Sequence, residues 1–240
     1  MPTLTTASTD GLVKKDDTTD WATCRDAGTG TSNGATETNN AWGIESSQYS
    51  ARGGGSTWRV TRSFFAFDTS GVTATVSTAT LKIYGYTNGS ADIIVVEATR
   101  PNLVTGIANA DFDAITGFSA GNTMDGNATD YSNEFPTWST SGYNSISLNG
   151  QARSDMVSQS ILKVCLVEYD HDYLNVDPGG DGNVFYSGLY YQEYSGTGTD
   201  PVIDYTLAGY GHTVTGVTTA NISKIKGVAT ASIDKVIGVD

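Results

Sequence analysis

The densest run of residues that could do chemistry is acidic. Glu168, Asp170, Asp172, Asn175 and Asp177 follow one another closely, with Asp181 and Asn183 behind them. Hard oxygen ligands of this kind suit Ca²⁺, which takes roughly six to eight of them. Glu168, Asp170, Asp172 and Asp177 are therefore the candidate metal ligands, and calcium the candidate cofactor. Their order does not match an EF-hand loop, because no Gly occupies the middle position. The competing reading is a solvated loop whose Asp, Asn and Gly residues serve turns. Aromatic rings offer a second chemistry. Trp42, Trp58, Trp138 and the Tyr190-Tyr191 pair are candidates for a platform that stacks on glycan, against the alternative that they fill the core and its rim.

Catalysis has little to work with. His171 and His212 are the only histidines, and no Gly-x-Ser-x-Gly nucleophile motif accompanies either. No spacing singles out a carboxylate pair for glycoside hydrolysis. The chain is expected not to be an enzyme. Cys24 and Cys165, the only cysteines, are too few for a disulfide scaffold. They are expected as buried free thiols, or as one bridge if the fold brings them together.

The elements that would position these residues read as strands. In Arg62-Ser63-Phe64-Phe65-Ala66-Phe67-Asp68, Phe65 and Phe67 fall on one face and Phe64 on the other. Ala79, Leu81 and Ile83 alternate with Thr80, Lys82 and Tyr84, the pattern of a half-buried strand. Asn88-Gly89 then predicts a tight hairpin into Ala91–Glu97. Ile161–Tyr169 is the most apolar run and predicts a central strand buried on both faces. A short helix is expected over 151–159, a helical turn near Asn109, and a closing strand at Pro201–Leu207.

Composition narrows the class. Charged residues are 16% of 240, against a usual value of about 25%. Thr, Ser, Gly and Asn fill the gap, which suits strands and turns rather than long helices. The formal charge of −13 and the absence of a basic cluster argue against nucleic-acid binding. No apolar run is long enough to insert in a membrane. The first residues have neither a basic region nor an apolar stretch, so no secretory signal is expected.

From residue 214 the chain repeats at a period of 11. Gly216, Gly227 and Gly238 are in register, as are Val217, Val228 and Val239; Ala220 matches Ala231, Ile222 matches Ile233, and Lys224 matches Lys235. Ala, Ile and Lys stand two apart within each unit, which is a strand pattern, and Gly at each boundary supplies a turn. Two and a fraction units cannot bury their own apolar face. The segment is either a frayed tail or an arm that pairs with another chain. Residues 211–240 carry a net charge of +1 and the remainder −14, so a near-neutral arm can dock on an acidic body. The expected organisation is a β-sandwich over residues 1–209 and a β-arm over 210–240.

Two stretches resemble known proteins. Arg62–Asp68, Ala79–Tyr84 and the closing Asp200–Tyr205 resemble DNRLRE-type jelly-roll domains, relatives of carbohydrate-binding modules. The resemblance implies an all-β jelly-roll sandwich over about residues 10–207 and transfers no ligand contact. Ala220–Ala229 resembles the "ANISKVNGVA" endings on structural proteins of tailed bacteriophages; Lys226 stands where Asn is usual, and Asp234 where Ser is usual. That resemblance implies a virion protein on capsid or tail. Its partners would be copies of itself and other virion proteins, with a host glycan as a further expected ligand. The arm would assemble through Val217, Ala220, Ile222, Lys224, Val228, Ala231, Ile233 and Lys235. The alternative is a carbohydrate-binding module that recognises cell-surface glycan.

Overall fold

The computed structural model describes residues 2–35, 38–50, 54–180, 182–196 and 198–208, with 224–225 and 228–229 in the C-terminal repeat. The strands are β1 Thr3–Thr5, β2 Gly11–Asp17, β3 Ser32–Gly34, β4 Asn39–Ser50, β5 Ser56–Asp68, β6 Val76–Gly89, β7 Ile93–Glu97, β8 Tyr143–Ser147, β9 Ile161–Glu168, β10 Val184–Tyr190, β11 Val202–Leu207, β12 Lys224–Ile225 and β13 Val228–Ala229. Helix α1 spans Trp21–Arg25 and α2 spans Gly150–Ser158. Among the described residues, no helix is long and apolar enough to cross a membrane.

The body is all-β, and two long strands organise it. The first half of β6 pairs with β11 and β8, and its far end pairs with β10. Strand β5 pairs with β2 along one edge; along the other it pairs first with β4 and then, from Ser63 onward, with β9. One layer is therefore β1-β11-β6-β8, and the other runs β10-β4-β5-β2-β3 with β9 and β7 alongside.

The main core lies between these layers. Phe65, Phe67, Leu81, Ile83, Val95, Leu162 and Val164 meet there. The opposite face of the second layer buries a second core, with Val60, Phe64, Val96, Phe112, Cys165 and Val167 under α1 and the 98–130 connection. Phe64 and Phe65 thus serve different cores, as their alternation predicts, and β9 is buried on both faces. Cys24 and Cys165 are both buried and both free.

The hairpin expected at Asn88-Gly89 does not form. β6 continues through Gly89, while β7 pairs antiparallel with β9. Ile93, Ile94, Val95 and Val96 are all buried, so this strand needs a neighbour with cores on both sides, and β9 is that neighbour.

Helix α2 lies where the sequence places it. Its start is set by Asn149, whose side-chain oxygen accepts the Ala152 N–H.

Candidate functional site

Strand alternation builds one polar pocket on the inner face of the second layer. Glu45 stands opposite Thr61 and Ser47 opposite Arg59 across β4 and β5, while Lys14 pairs with Thr61 and Asp16 with Arg59 across β2 and β5. The row that carries Phe65 and Phe67 into the core therefore turns polar toward Arg59. Strand β3 and the start of β4 close the sides. The result is a cavity of about 210 Å³ lined by Lys14, Asn33, Asn40, Trp42, Glu45 and Arg59, among others. That is smaller than the roughly 300–1,000 Å³ of drug-sized sites, so it fits a small polar ligand.

The floor is a buried carboxyl. Glu45 is fully buried and accepts hydrogen bonds from Ser47 Oγ at 2.7 Å and from Tyr49 Oη. Burial raises its pKa above the ordinary carboxylate range, against the pull of those two hydroxyls. Burial, followed by Glu45 itself, pushes the Tyr49 phenol up. Arg59 donates from Nε to Asp16 Oδ1 and lies 5.1 Å over the Tyr49 ring. At the rim, Trp42 is 37% exposed and stacks on Tyr186, with centroids 4.1 Å apart. Gly89 makes room for that ring, because a Cβ there would collide with Tyr186. An aromatic face beside a carboxyl, a guanidinium, two amides and hydroxyls can stack on and hydrogen-bond a polyhydroxylated ligand.

The other aromatic candidates do not stack with Trp42; Tyr191 is buried in the main core, its ring stacked on Phe65 at 5.9 Å. Trp138 is buried, and its Nε1–H donates to the Gly188 carbonyl at 3.0 Å. It packs in the main core. Trp58 packs against the second core, with its indole N–H on Asp177 Oδ1 at 3.1 Å. Tyr190 belongs to a tyrosine cluster with Tyr84, Tyr86 and Tyr194, at centroid distances of 5.6, 5.3 and 4.7 Å.

The acidic run is likewise dispersed, because it folds as one tight turn over Tyr169–Tyr173. Glu168 spends its carboxyl on the turn, accepting from the backbone N–H groups of Asp170, His171 and Asp172. Burial nevertheless pushes its pKa up to about 8. Asp172 points inward to Arg62, Asp170 faces solvent, and Asp177 holds the Trp58 indole. The side chains of Glu168, Asp170, Asp172 and Asp177 do not converge as a calcium ligand set. Among the described residues, no group of three or more His, Cys, Asp or Glu stands gathered for a metal.

In the repeat, β12 pairs antiparallel with β13, with Lys224 opposite Ala229 and Ile225 opposite Val228. Val217, Ala220, Ile222, Ala231, Ile233 and Lys235 lie outside the described residues.

Sequence reasoning missed Glu45, Arg59, Asn33 and Asn40. The usable signal was polar alternation, Glu45-x-Ser47-x-Tyr49 and Arg59-x-Thr61, which marks a polar face on strands with apolar neighbours. No protein-family model and no curated protein matches the chain.

Proposed function

We propose that this chain is a structural protein on the surface of a tailed-bacteriophage virion, joined to copies of itself or to other virion proteins by its C-terminal repeat arm. The observation that carries this reading is the antiparallel pairing of Lys224–Ile225 with Val228–Ala229 inside an 11-residue repeat. A segment of strand-forming units too few to bury their own face gains most by adding strands to another chain. Main-chain hydrogen bonds then supply affinity, and alternate side chains supply specificity. The jelly-roll resemblance of the body and the phage resemblance of Ala220–Ala229 supply the biological setting. The test is co-assembly: full-length protein incorporates into particles, and a chain ending at Ala208 stays folded but is left out. Normal incorporation of the truncated chain would refute the reading.

A second reading, glycan binding by the body, is favoured by the Trp42–Glu45–Arg59 pocket. Cell-surface polysaccharide should quench the exposed Trp42 selectively. The two readings are compatible in a virion protein that faces a host.

A further inference from the structure

Strand β1 closes one side of the first layer. Among the described residues, Thr3–Thr5 pairs as a strand along one edge only, with β11. Antiparallel pairing alternates between residues that bond across and residues that turn away. The Tyr205 N–H donates to the Pro2 carbonyl, and the Thr6 N–H to the Pro201 carbonyl. In that register Leu4 bonds across to Ile203, and Thr3 and Thr5 direct their N–H and C=O groups away from β11. Both threonines are exposed. An uncharged open edge of this kind is a template for another strand.

A cleft of about 420 Å³ runs beside that edge, lined by Leu4, Tyr205, Asp68 and Ser70, among others. Leu4 and Tyr205 give it an apolar wall that continues the main core. Asp68 gives it a carboxylate. Its Oδ1 accepts from Ser70 Oγ and from the Ser70 N–H, which hold its pKa below the ordinary value. No Lys, Arg or His among the described residues forms an ion pair with it.

The repeat unit matches this cleft. The arm leaves the body close by, since β11 ends just past Tyr205 and the Ala208 N–H still bonds the Thr75 carbonyl. Ala220, Ile222 and Lys224 stand two apart, so in a strand they share one face at steps of about 7 Å. A strand laid along β1 can set Ile222 against Leu4 and Tyr205 and direct Lys224 to Asp68. Ala231, Ile233 and Lys235 repeat the same order.

We propose that the open edge of β1 takes a repeat unit from the arm of a second copy, residues 220–224 or 231–235, as an added strand whose lysine meets Asp68. This rests on the assembly reading above and gives it a docking surface. A contact from the arm of one copy to the edge of the next is head-to-tail, so it builds rings or filaments.

The experiment compares the self-association of full-length variants by light scattering across a concentration series. T5P removes an N–H that points away from β11, so the β1–β11 ladder stays whole; near-ultraviolet circular dichroism checks the fold. It should weaken association about tenfold or more. D68N keeps an oxygen for the Ser70 N–H but loses the charge. It should weaken association about two- to fivefold at low salt, and the difference should vanish at about 1 M salt. S145P is the control on β8, which among the described residues pairs only with β6. The Leu148 N–H on the Ala79 carbonyl places the Ser145 N–H outward there too, and S145P should associate as wild type does. If T5P does not fold, D68N against S145P decides. Wild-type association in T5P and D68N would overturn the β1 site and leave the assembly reading standing. Loss in S145P alone would move the arm to β8 and overturn it as well. A wild-type chain that does not associate would overturn both.

Discussion

Arg62 and Asp172 form a two-pronged ion pair inside the second core, Nε to Oδ2 and Nη2 to Oδ1, both at 2.7 Å. Neither side chain is exposed to solvent. The remaining guanidinium hydrogen bonds go to the Phe112 and Arg25 carbonyls, and the group lies 4.2 Å over the Phe112 ring. The arginine that opens the Phe-rich strand thus holds α1, the 98–130 connection and the Tyr169–Tyr173 turn against β5.

Breaking one side of such a pair leaves a buried charge short of its main partner, with only Arg25 Nε, 3.5 Å from Asp172 Oδ1, left beside the carboxylate when Arg62 is lost. R62M and D172N are each expected to cost about 3–5 kcal/mol of folding free energy. Urea unfolding of the two single variants and of R62M/D172N should give a coupling of about 1–3 kcal/mol. Additive losses would mean that the pair does not act as a unit.

Glu168 sets a pH dependence whose sign follows from its environment. Burial raises it from 4.5 to about 8, and the backbone N–H groups of His171 and Asp172 offset this only in part. Between those values the folded chain keeps a proton that the unfolded chain has released. Stability should therefore fall as pH rises from about 4.5 to about 8 and level off above that. E168Q should flatten the slope in melting temperature. Part of the slope should survive, because burial raises Asp10 and Glu45 in the same direction. A wild-type profile that rises across this window would contradict the assignment.

The pocket reading depends on Trp42. Of the four tryptophans, Trp21 and Trp138 are buried and Trp58 is half-buried, leaving Trp42 as the exposed indole. Quenching by a bound glycan should disappear in W42A. Binding should weaken about tenfold or more, as expected when a stacked aromatic anchor is removed. E45Q should reduce affinity with less effect on quenching. Unchanged quenching in W42A would move the ligand away from the pocket.

Much of the fold was legible because its strands alternate against a core. Leu81 and Ile83 gave away β6, the run Ile161–Tyr169, the most apolar in the chain, gave away a strand between two cores, and the short helix expected over 151–159 formed as α2. The Asn88-Gly89 error has a physical cause. Asn-Gly favours a tight turn locally, but pairing is decided by where Ile93–Val96 can bury both faces, and that partner, β9, lies far along the chain. The pocket was hard to see because Glu45, Ser47 and Thr61 look like solvent-facing residues in a Ser/Thr-rich chain. Only β3 and Trp42 close over them. The acidic run misled for the converse reason: adjacent carboxylates in a tight turn diverge, and Asp172 turns inward to an arginine 110 positions earlier.

The most direct test of the assembly account is light scattering after size exclusion, on the full chain and on a chain ending at Ala208. The account predicts an oligomer or filament for the full chain and a folded monomer for the shorter one. A full chain that stays monomeric, or a shorter chain that still associates, would contradict it.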